Sequence, residues 1–498
     1  MRRNLTTQAG LLTGSRALGQ VFNALAGIFI VRALSQYDYG TYRQLFLLWT
    51  TLFLIGDAGF SQSLYQFIPG RREHAGKHIG QALLVTVGMA IAWMAGLLLL
   101  AGPLSRFFGN DKLVQHMFIL VTYLGLSLFA KAPEAALISL ERVGSVAVNT
   151  AVFEALKFAL MLAALYTGGG ITWLLRAMSF AAGLKLIHLF WILRDHISFA
   201  PTGAFAAQFQ YSMALWLPSL LNIAGTYAHQ YIVGYYFNPV DYAIYAVACF
   251  QVPLIGVLST SVGEVLLVRA TEYHTQNRRE DLLKIWWSAC RKAQMVFLPA
   301  TLACVALARP LLTTLFTARY SKSVPLFIVI VLGLALNGIF QDALLRAYNA
   351  MRSYAFFYFL RVALALGLGV AGARWLGMWG AALSTLATLV VLNAAQLWKV
   401  AQLLEVPFSR VLPWKDLGKI GLASAACAIL AAGTARLFVW APAALGAGAL
   451  VFTAAYLAIA FRMELVDTDE TRQILDQVRS GCYRLGILRP QISGQVPR

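Results

Sequence analysis

Apolar runs of about 20 residues recur along almost the whole chain, and the last of them ends near position 462. A helix of about 20 residues crosses a hydrocarbon core about 30 Å thick, so each run is long enough to span a bilayer. Of the 498 residues, 59% are hydrophobic and only 12% are charged, and the mean hydropathy is +0.67. A soluble globular domain does not have this composition. The chain is therefore predicted to be an integral membrane protein without a cleaved secretory signal.

Clusters of charged residues, Pro, Gly and Asn divide these runs into fourteen predicted spans. The spans are 11–33, 40–66, 81–103, 114–138, 145–166, 172–193, 211–236, 242–268, 289–316, 324–348, 356–376, 380–402, 419–438 and 443–462. The last two are rich in Ala and Gly and give the weakest signal, so the alternative count is twelve. The predicted fold class is an all-α integral membrane protein with about fourteen transmembrane helices.

The formal net charge of +19, from 40 Lys and Arg against 21 Asp and Glu, divides unevenly between the two membrane sides. If the N-terminus and the even-numbered loops are cytoplasmic, that side holds 24 of the 40 basic residues and the opposite side holds seven. Because cytoplasmic loops carry an excess of Lys and Arg, both termini are predicted to be cytoplasmic. Most of the charge reflects topology, and no nucleic acid partner is expected.

Two stretches outside the spans are predicted to form short amphipathic helices. Residues 278–287 contain a charged stretch followed by Trp286 and Trp287, which predicts a helix lying on the inner membrane surface. The tail from Asp467 to Arg484 predicts another. Both are more typical of packing or anchoring than of catalysis.

No stretch of the sequence has a catalytic or cofactor motif. The predicted outer loops are too short for the external catalytic domain of a polytopic glycosyltransferase or ligase. The five cysteines have no CxxC spacing, and Gly168–Gly170 is not followed by the GK[ST] of a phosphate-binding loop. We expect no metal, no nucleotide-powered transport and no enzymatic activity.

The two halves of the chain share a repeated motif, Asp-Tyr-x-x-Tyr, at 38–42 and 241–245 in corresponding outer loops. Ala243 stands in the second copy where Gly40 stands in the first. The copies are six spans apart, and because six is even the repeat is parallel, related by an axis along the membrane normal. This predicts two six-helix lobes, 1–200 and 201–404, with a cavity between them. Residues 405–462 would add helices 13 and 14, and 463–498 a cytoplasmic tail.

The N-terminal 65 residues resemble a known signature. Arg16 in the first helix, the stretch Arg32–Tyr42, and Gly56-Asp57-Ala58-Gly59-Phe60 resemble polysaccharide flippases, the Wzx-type members of the MOP (multidrug/oligosaccharidyl-lipid/polysaccharide) exporter superfamily. The resemblance implies a bacterial inner-membrane protein whose lobes alternate between inward-open and outward-open states. The implied partners are an undecaprenyl-pyrophosphate-linked glycan, membrane lipids, and a polysaccharide polymerase or export machinery. No cofactor is implied beyond a coupling Na⁺ or H⁺.

Two alternatives to a flippase stay open at this point. A multidrug exporter of the same superfamily binds organic cations, so its cavity should be acidic or neutral, and the sign of the cavity charge discriminates. A membrane glycosyltransferase or ligase is the other alternative.

Nine basic and five acidic residues fall inside the predicted spans, apart from eight basic residues near span ends that are counted with the adjacent loops: Arg32, Arg291, Lys292, Arg374, Lys399, Lys419, Arg436 and Arg462. Each would cost about 2.5 to 3.5 kcal/mol at a helix centre, so they should face a cavity, a partner or an interface. Three pairs lie on one helix face, where they could neutralise each other or serve the cavity: Lys131 with Glu134, Glu154 with Lys157, and Asp342 with Arg346. The others are Arg16, Arg43, Arg176, Lys185, Arg309, Arg361, Asp57 and Glu264, a surplus of four positive charges (six minus two).

This surplus predicts an anionic ligand, because the guanidinium fork of Arg matches phosphate oxygens. The predicted substrate-binding residues are Arg16, Arg43, Lys131, Lys157, Lys185 and Arg309, and the predicted gate or ion-coupling residues are Asp57, Glu134, Glu154 and Arg361. Snorkelling to an interface is the alternative for the arginines.

Three further polar residues of the seventh span, Asn222, His229 and Gln230, line the cavity or belong to the core. Asp57 either pairs with Arg16 or binds a coupling cation. Helix capping by Asp57 is not expected so far inside a span.

Overall fold

The computed structural model describes residues 5–69, 72–200, 203–251 and 255–462, and these contain helices and turns without a strand. The first half holds α1 Leu5–Ala33, α2 Gln36–Ile55, α3 Phe60–Phe67, α4 Ala75–Leu99, α5 Ala101–Phe107, α6 Lys112–Phe129, α7 Lys131–Ser139, α8 Val143–Tyr166 and α9 Gly170–Leu193. The second holds α10 Phe205–Tyr236, α11 Pro239–Ala248, α12 Ile255–Thr275, α13 Arg279–Ala306, α14 Ala308–Phe316, α15 Ser323–Leu332, α16 Gln341–Ala347 and α17 Met351–Leu404. Then follow α18 Phe408–Val411, α19 Trp414–Arg436 and α20 Ala441–Arg462.

The helices confirm an all-α membrane protein with about the predicted number of spans. In the described ranges, ten helical segments are long and apolar enough to cross a membrane, and α13 with α14, bent by 75°, forms an eleventh candidate. The 54-residue α17 reverses within its length and counts as two spans. α10 and the α11–α12 pair occupy the places of the predicted seventh and eighth spans.

α17 reverses at Gly377, whose φ of 65° and ψ of −146° are accessible essentially to glycine alone. On either side of this turn, the backbones of Gly372 and Gly380 are in contact. A Cβ added at Gly380 would lie 1.9 Å from the Gly372 carbonyl oxygen. The predicted spans 356–376 and 380–402 are thus the two arms of a helical hairpin.

Gly377→Ala should destabilise the protein by about 1–3 kcal/mol, because alanine cannot adopt this backbone conformation without strain. Thermal unfolding in detergent measures the effect. Gly367→Ala is the matched control, since a Cβ there meets nothing within 4 Å. Equal stabilities of the two variants would contradict the assigned turn.

The two halves interrupt their helices at corresponding places. The second span breaks between α2 and α3 in the first half and between α11 and α12 in the second half. The third span breaks at Leu100 in the first half and at Leu307 in the second. The fourth span breaks at Ala130 in the first half and between α15 and α16 in the second. The parallel repeat predicted from the sequence is therefore present in the helix order.

Both copies of the Asp-Tyr-x-x-Tyr motif begin in the first turn of a helix, α2 or α11, and do not lie in the outer loops where they were predicted. Ser35 Oγ accepts a hydrogen bond from the Asp38 amide at 3.1 Å, and Asn238 Oδ1 accepts one from the Asp241 amide at 2.9 Å. A polar N-cap three residues before an acidic residue stabilises a helix start, which explains why the helices begin earlier than predicted.

The two helices that carry the motif pack against each other and join the halves. Gly40 of α2 touches the backbone of α11 so closely that an added Cβ would lie 1.8 Å from the Pro239 carbonyl oxygen. Nearby, Arg32 donates to the carbonyls of Thr314 and Leu315. We call the region where α2 meets α11 and Arg32 meets α14 the Asp38 end. The halves also touch at the opposite end, where Gln208 Nε2 of α10 donates a hydrogen bond to Ser63 Oγ at 2.9 Å.

Gly40→Ala should separate the halves at the Asp38 end, since the α11 backbone leaves no room for a methyl group. Cross-linking by a short bifunctional thiol reagent between cysteines introduced at Gln36 and Arg319 reports the contact, since the Gln36 side-chain amide lies 3.0 Å from the Arg319 carbonyl. We expect severalfold less cross-link in the variant. Gly88→Ala, at a position with open space, is the control, and an unchanged cross-link in both would contradict the tight contact.

The stretch 278–287 does not form a separate surface helix, so that prediction is wrong. It is the start of α13, which continues without interruption to Ala306. Trp286 is fully buried and donates a hydrogen bond to the Val411 carbonyl at 2.8 Å, so tertiary packing holds this segment. The predicted tail helix 467–484 lies outside the described residues.

Candidate functional site: a charged cavity between the halves

Four cavities that share lining residues form a series from the first half of the chain to the second, and the bridging cavity is lined by both halves. The N cavity measures about 440 Å³ and shares Arg43 with a bridging cavity of about 310 Å³. The bridging cavity shares Gln230 with the first C cavity, of about 300 Å³. That cavity shares Arg361 with the second C cavity, of about 380 Å³. Together they form a path from one half to the other.

The N cavity has a positive lining. Four cationic side chains face it from α2, α7, α8 and α9, against two carboxylates, Glu134 and Glu154; the cations are Arg43, Lys131, Lys157 and Lys185. Tyr39, Tyr42, Trp49, Phe53 and Tyr123 supply aromatic surface. Of the residues predicted to bind substrate, four of six lie here.

Each of the three lysines has a carboxylate partner. Lys157 Nζ lies 2.6 Å from Glu154, as the same-helix pairing predicts. The predicted Lys131–Glu134 pair is wrong: Lys131 Nζ instead lies 2.5 Å from Asp57, and Glu134 pairs with Lys185 at 3.1 Å. Both are contacts between different spans.

Asp57 lies in a break of the second span, where Ala58 and Gly59 have φ of 48° and 77°. The break frees the Phe53 carbonyl, which accepts a hydrogen bond from Lys131 Nζ at 3.0 Å. It also lets Asp57 accept from the Ser61 amide at 3.2 Å, at the start of α3. The N-cap of α3 is Gly59, and Asp57 satisfies one amide of its first turn, a role not expected from the sequence. The ion-pair partner of Asp57 is Lys131 and not Arg16.

Arg43 is the cavity cation without a carboxylate partner among the described residues. Its Nε is buried and has no acceptor in the described part of the chain. The side chain lines both the N cavity and the bridging cavity. The unneutralised charge of the N cavity therefore lies at its junction with the bridging cavity.

The other predicted basic residues lie elsewhere. Arg16 is exposed on α1, where it interacts with the Tyr65 hydroxyl, and Arg309 is exposed near the start of α14. Neither is among the residues that line these four cavities. Arg361 lines both C cavities and donates to Asn222 Oδ1 at 2.6 Å.

The second C cavity contains an anchored carboxylate, Asp342. It accepts hydrogen bonds from Tyr358 Oη and Gln396 Nε2, each at 3.1 Å. The exposed Arg346 does not come within ion-pair distance of it, so the predicted Asp342–Arg346 pair is not formed.

Two polar residues of α10 also have definite positions. His229 Nδ1 lies 2.8 Å from the Tyr245 hydroxyl of the second repeat motif, and His229 also lines the first C cavity. Gln230 lines the bridging and first C cavities.

The sequence analysis named Gln230 of the first C cavity but missed the side-chain amides of the second C cavity. The missed residues are Asn337, Gln341, Asn393 and Gln396. Their positions inside apolar spans could have identified them, because a side-chain amide in a span also requires a polar environment. In the described residues no group of three or more His, Cys, Asp or Glu is placed to hold a metal ion.

Two halves of matching helix order around a central cavity define a fold shared with transporters of the MOP superfamily. The structure of a lipid II flippase MurJ in an inward closed conformation matches with a TM-score of 0.69 and 14% identity, over 92% of this chain and 100% of that one. An inward-facing MATE multidrug resistance transporter matches with a TM-score of 0.66 and 14% identity, over 78% and 94%. A MOP transporter from Pyrococcus furiosus, described as having a binding pocket of reverse polarity, gives 0.58 and 15%, over 80% and 96%.

The amino-acid sequence, independently of the fold, identifies the family to which the chain belongs. A family model described as "Polysaccharide biosynthesis protein" matches residues 29–325, which is more than half of the chain. The chain belongs to this family, which confirms the predicted resemblance to polysaccharide flippases. No curated protein matches the sequence.

Proposed function

We propose that the protein moves an oligosaccharide linked to polyprenyl pyrophosphate, such as undecaprenyl pyrophosphate, across the bacterial inner membrane by alternating access. The observation that carries this is Arg43, a cavity cation with no carboxylate partner in the described chain. A desolvated guanidinium without a counterion is a strong site for phosphate oxygens, because charge-assisted hydrogen bonds are stronger than neutral ones.

The sign of the charge favours this ligand over an organic cation. Both carboxylates of the N cavity, Glu134 and Glu154, are already engaged by lysines. An incoming cation would have to displace a lysine and would also be repelled by Arg43. An anion meets Arg43, a cation that has no carboxylate partner among the described residues.

The matching helix order of the two halves supports alternating access. The excess of Lys and Arg on the other side favours an outer location for the Asp38 end. The halves touch at both ends, at Gly40 and Pro239 and at Ser63 and Gln208, so passage of a substrate would require these contacts to open in turn. Coupling to Na⁺ or H⁺ and association with a polymerase or export machinery stay predictions.

Ligand competition tests the assignment. Purified protein in detergent should bind undecaprenyl pyrophosphate and be thermally stabilised by it, whereas the organic cation ethidium should neither stabilise the protein nor displace the lipid. Stabilisation by ethidium alone would contradict the proposal and favour a multidrug exporter.

A further inference from the structure

The two ends of the cavity path differ in chemistry. The N cavity has four cations, two carboxylates and one side-chain amide, Asn23. The second C cavity has two cations and two carboxylates, which balance, together with four side-chain amides. Gln230 and Gln251 continue the amide lining into the first C cavity. One end is therefore suited to a charged group and the other to a neutral group rich in hydroxyls.

Several polar groups of the C cavities are held in fixed positions. Asp342 is bound by Tyr358 and Gln396, so its remaining lone pairs have a defined direction. Gln341 Nε2 donates to Asn393 Oδ1 at 2.8 Å, which orients both amides. Such contacts preorganise a site, because the side chains do not have to be ordered by the ligand.

Other groups of the same cavities have no partner. The side chains of Asn337 and Glu264 are exposed at the second C cavity without a hydrogen bond or ion pair in the described chain. The Thr388 hydroxyl lines the first C cavity, is 4% exposed and has no hydrogen-bond partner among described residues. Leaving a buried hydroxyl unpaired is unfavourable, so this position favours a ligand that supplies a donor or acceptor.

We propose that the two C cavities form the glycan subsite of the transported lipid, an inference that rests on the proposed function. A sugar hydroxyl both donates and accepts hydrogen bonds, so it matches amides, which do both, and carboxylates, which accept from adjacent hydroxyls. Tyr358 and Phe357 add ring surface for the apolar faces of a pyranose.

The order of the cavities then fixes the order of the ligand. The pyrophosphate lies at Arg43, the first sugars occupy the bridging cavity, and the distal sugars reach Asn337, Asp342 and Glu264. Selection among glycans would be made by the second half of the protein, while the anchor common to all such lipids is held by the first half.

The test compares two ligands on the full chain: bare undecaprenyl pyrophosphate, and the undecaprenyl-pyrophosphate-linked saccharides extracted from the producing cells. The variant Asn337→Ala/Glu264→Gln removes only exposed, unpartnered groups and should fold normally. We expect it to bind the saccharide-bearing lipid roughly tenfold more weakly and the bare lipid with unchanged affinity. Asp342→Asn should show the same selectivity, and Arg43→Gln should weaken both ligands.

Each outcome is decisive. If the C-cavity variants bind both lipids like the unchanged protein while Arg43→Gln loses both, the glycan subsite is wrong and the proposed function stands. If the unchanged protein binds neither lipid, the proposed function fails and the subsite with it. A loss confined to the saccharide-bearing lipid supports the proposal.

Discussion

Replacing Arg43 by glutamine should weaken binding of undecaprenyl pyrophosphate by about 10- to 150-fold, because a hydrogen bond to a charged group contributes about 1.5 to 3 kcal/mol. Folding should be unaffected, since no carboxylate of the described chain depends on this guanidinium. Ligand titration in detergent gives the affinity, and thermal unfolding gives the stability. Loss of binding at unchanged stability is the expected combination.

Two matched variants make this result specific. Arg309→Gln removes the same charge at an exposed position away from the four cavities and should bind the lipid normally. Arg43→Lys keeps the charge but loses the planar fork of donors, and an intermediate affinity is expected. Equal losses in Arg43→Gln and Arg309→Gln would mean that overall charge, and not this cavity, attracts the ligand.

Lys131→Met should destabilise the fold by about 3 kcal/mol, because it leaves the Asp57 carboxylate buried without its counterion. The Asp57 side chain is 5% exposed and that of Lys131 is 22% exposed. SDS-driven unfolding in mixed micelles measures the change. The double variant Asp57→Asn/Lys131→Met should recover most of the loss, since it removes both charges together.

The surface pair Lys112–Asp38 provides the control. Its side chains are 45% and 33% exposed, so Lys112→Met should cost only about 0 to 1 kcal/mol. If the Lys131 and Lys112 variants were equally stable, the break at Asp57 would not be held by this ion pair.

Much of the fold was predictable because the membrane imposes a simple rule. A bilayer requires long apolar helices, and their boundaries follow the charged clusters. The repeat was also visible, at 38–42 and 241–245. Apolar length does not locate the first residue of a helix, because a helix start depends on N-cap hydrogen bonds. The segments that begin at Ser35 and Asn238 were therefore predicted to be loops.

The site was predictable in its residue types but not in its pairings. Four cations of the N cavity were named from their places in apolar spans. Their partners could not be named, because Lys131–Asp57 and Lys185–Glu134 join different helices and depend on tertiary packing. The break at Ala58–Gly59 was equally hidden, since Gly-Asp-Ala-Gly is compatible with a continuous span or with a turn.

Translocation in proteoliposomes tests the central claim most directly. Undecaprenyl-pyrophosphate-linked saccharides would be placed in one leaflet, and their arrival in the other would be followed with a membrane-impermeant lectin. The account predicts translocation that depends on the protein, is retained by Arg309→Gln and is abolished by Arg43→Gln. No translocation by the unchanged protein, together with transport of ethidium in the same vesicles, would contradict it.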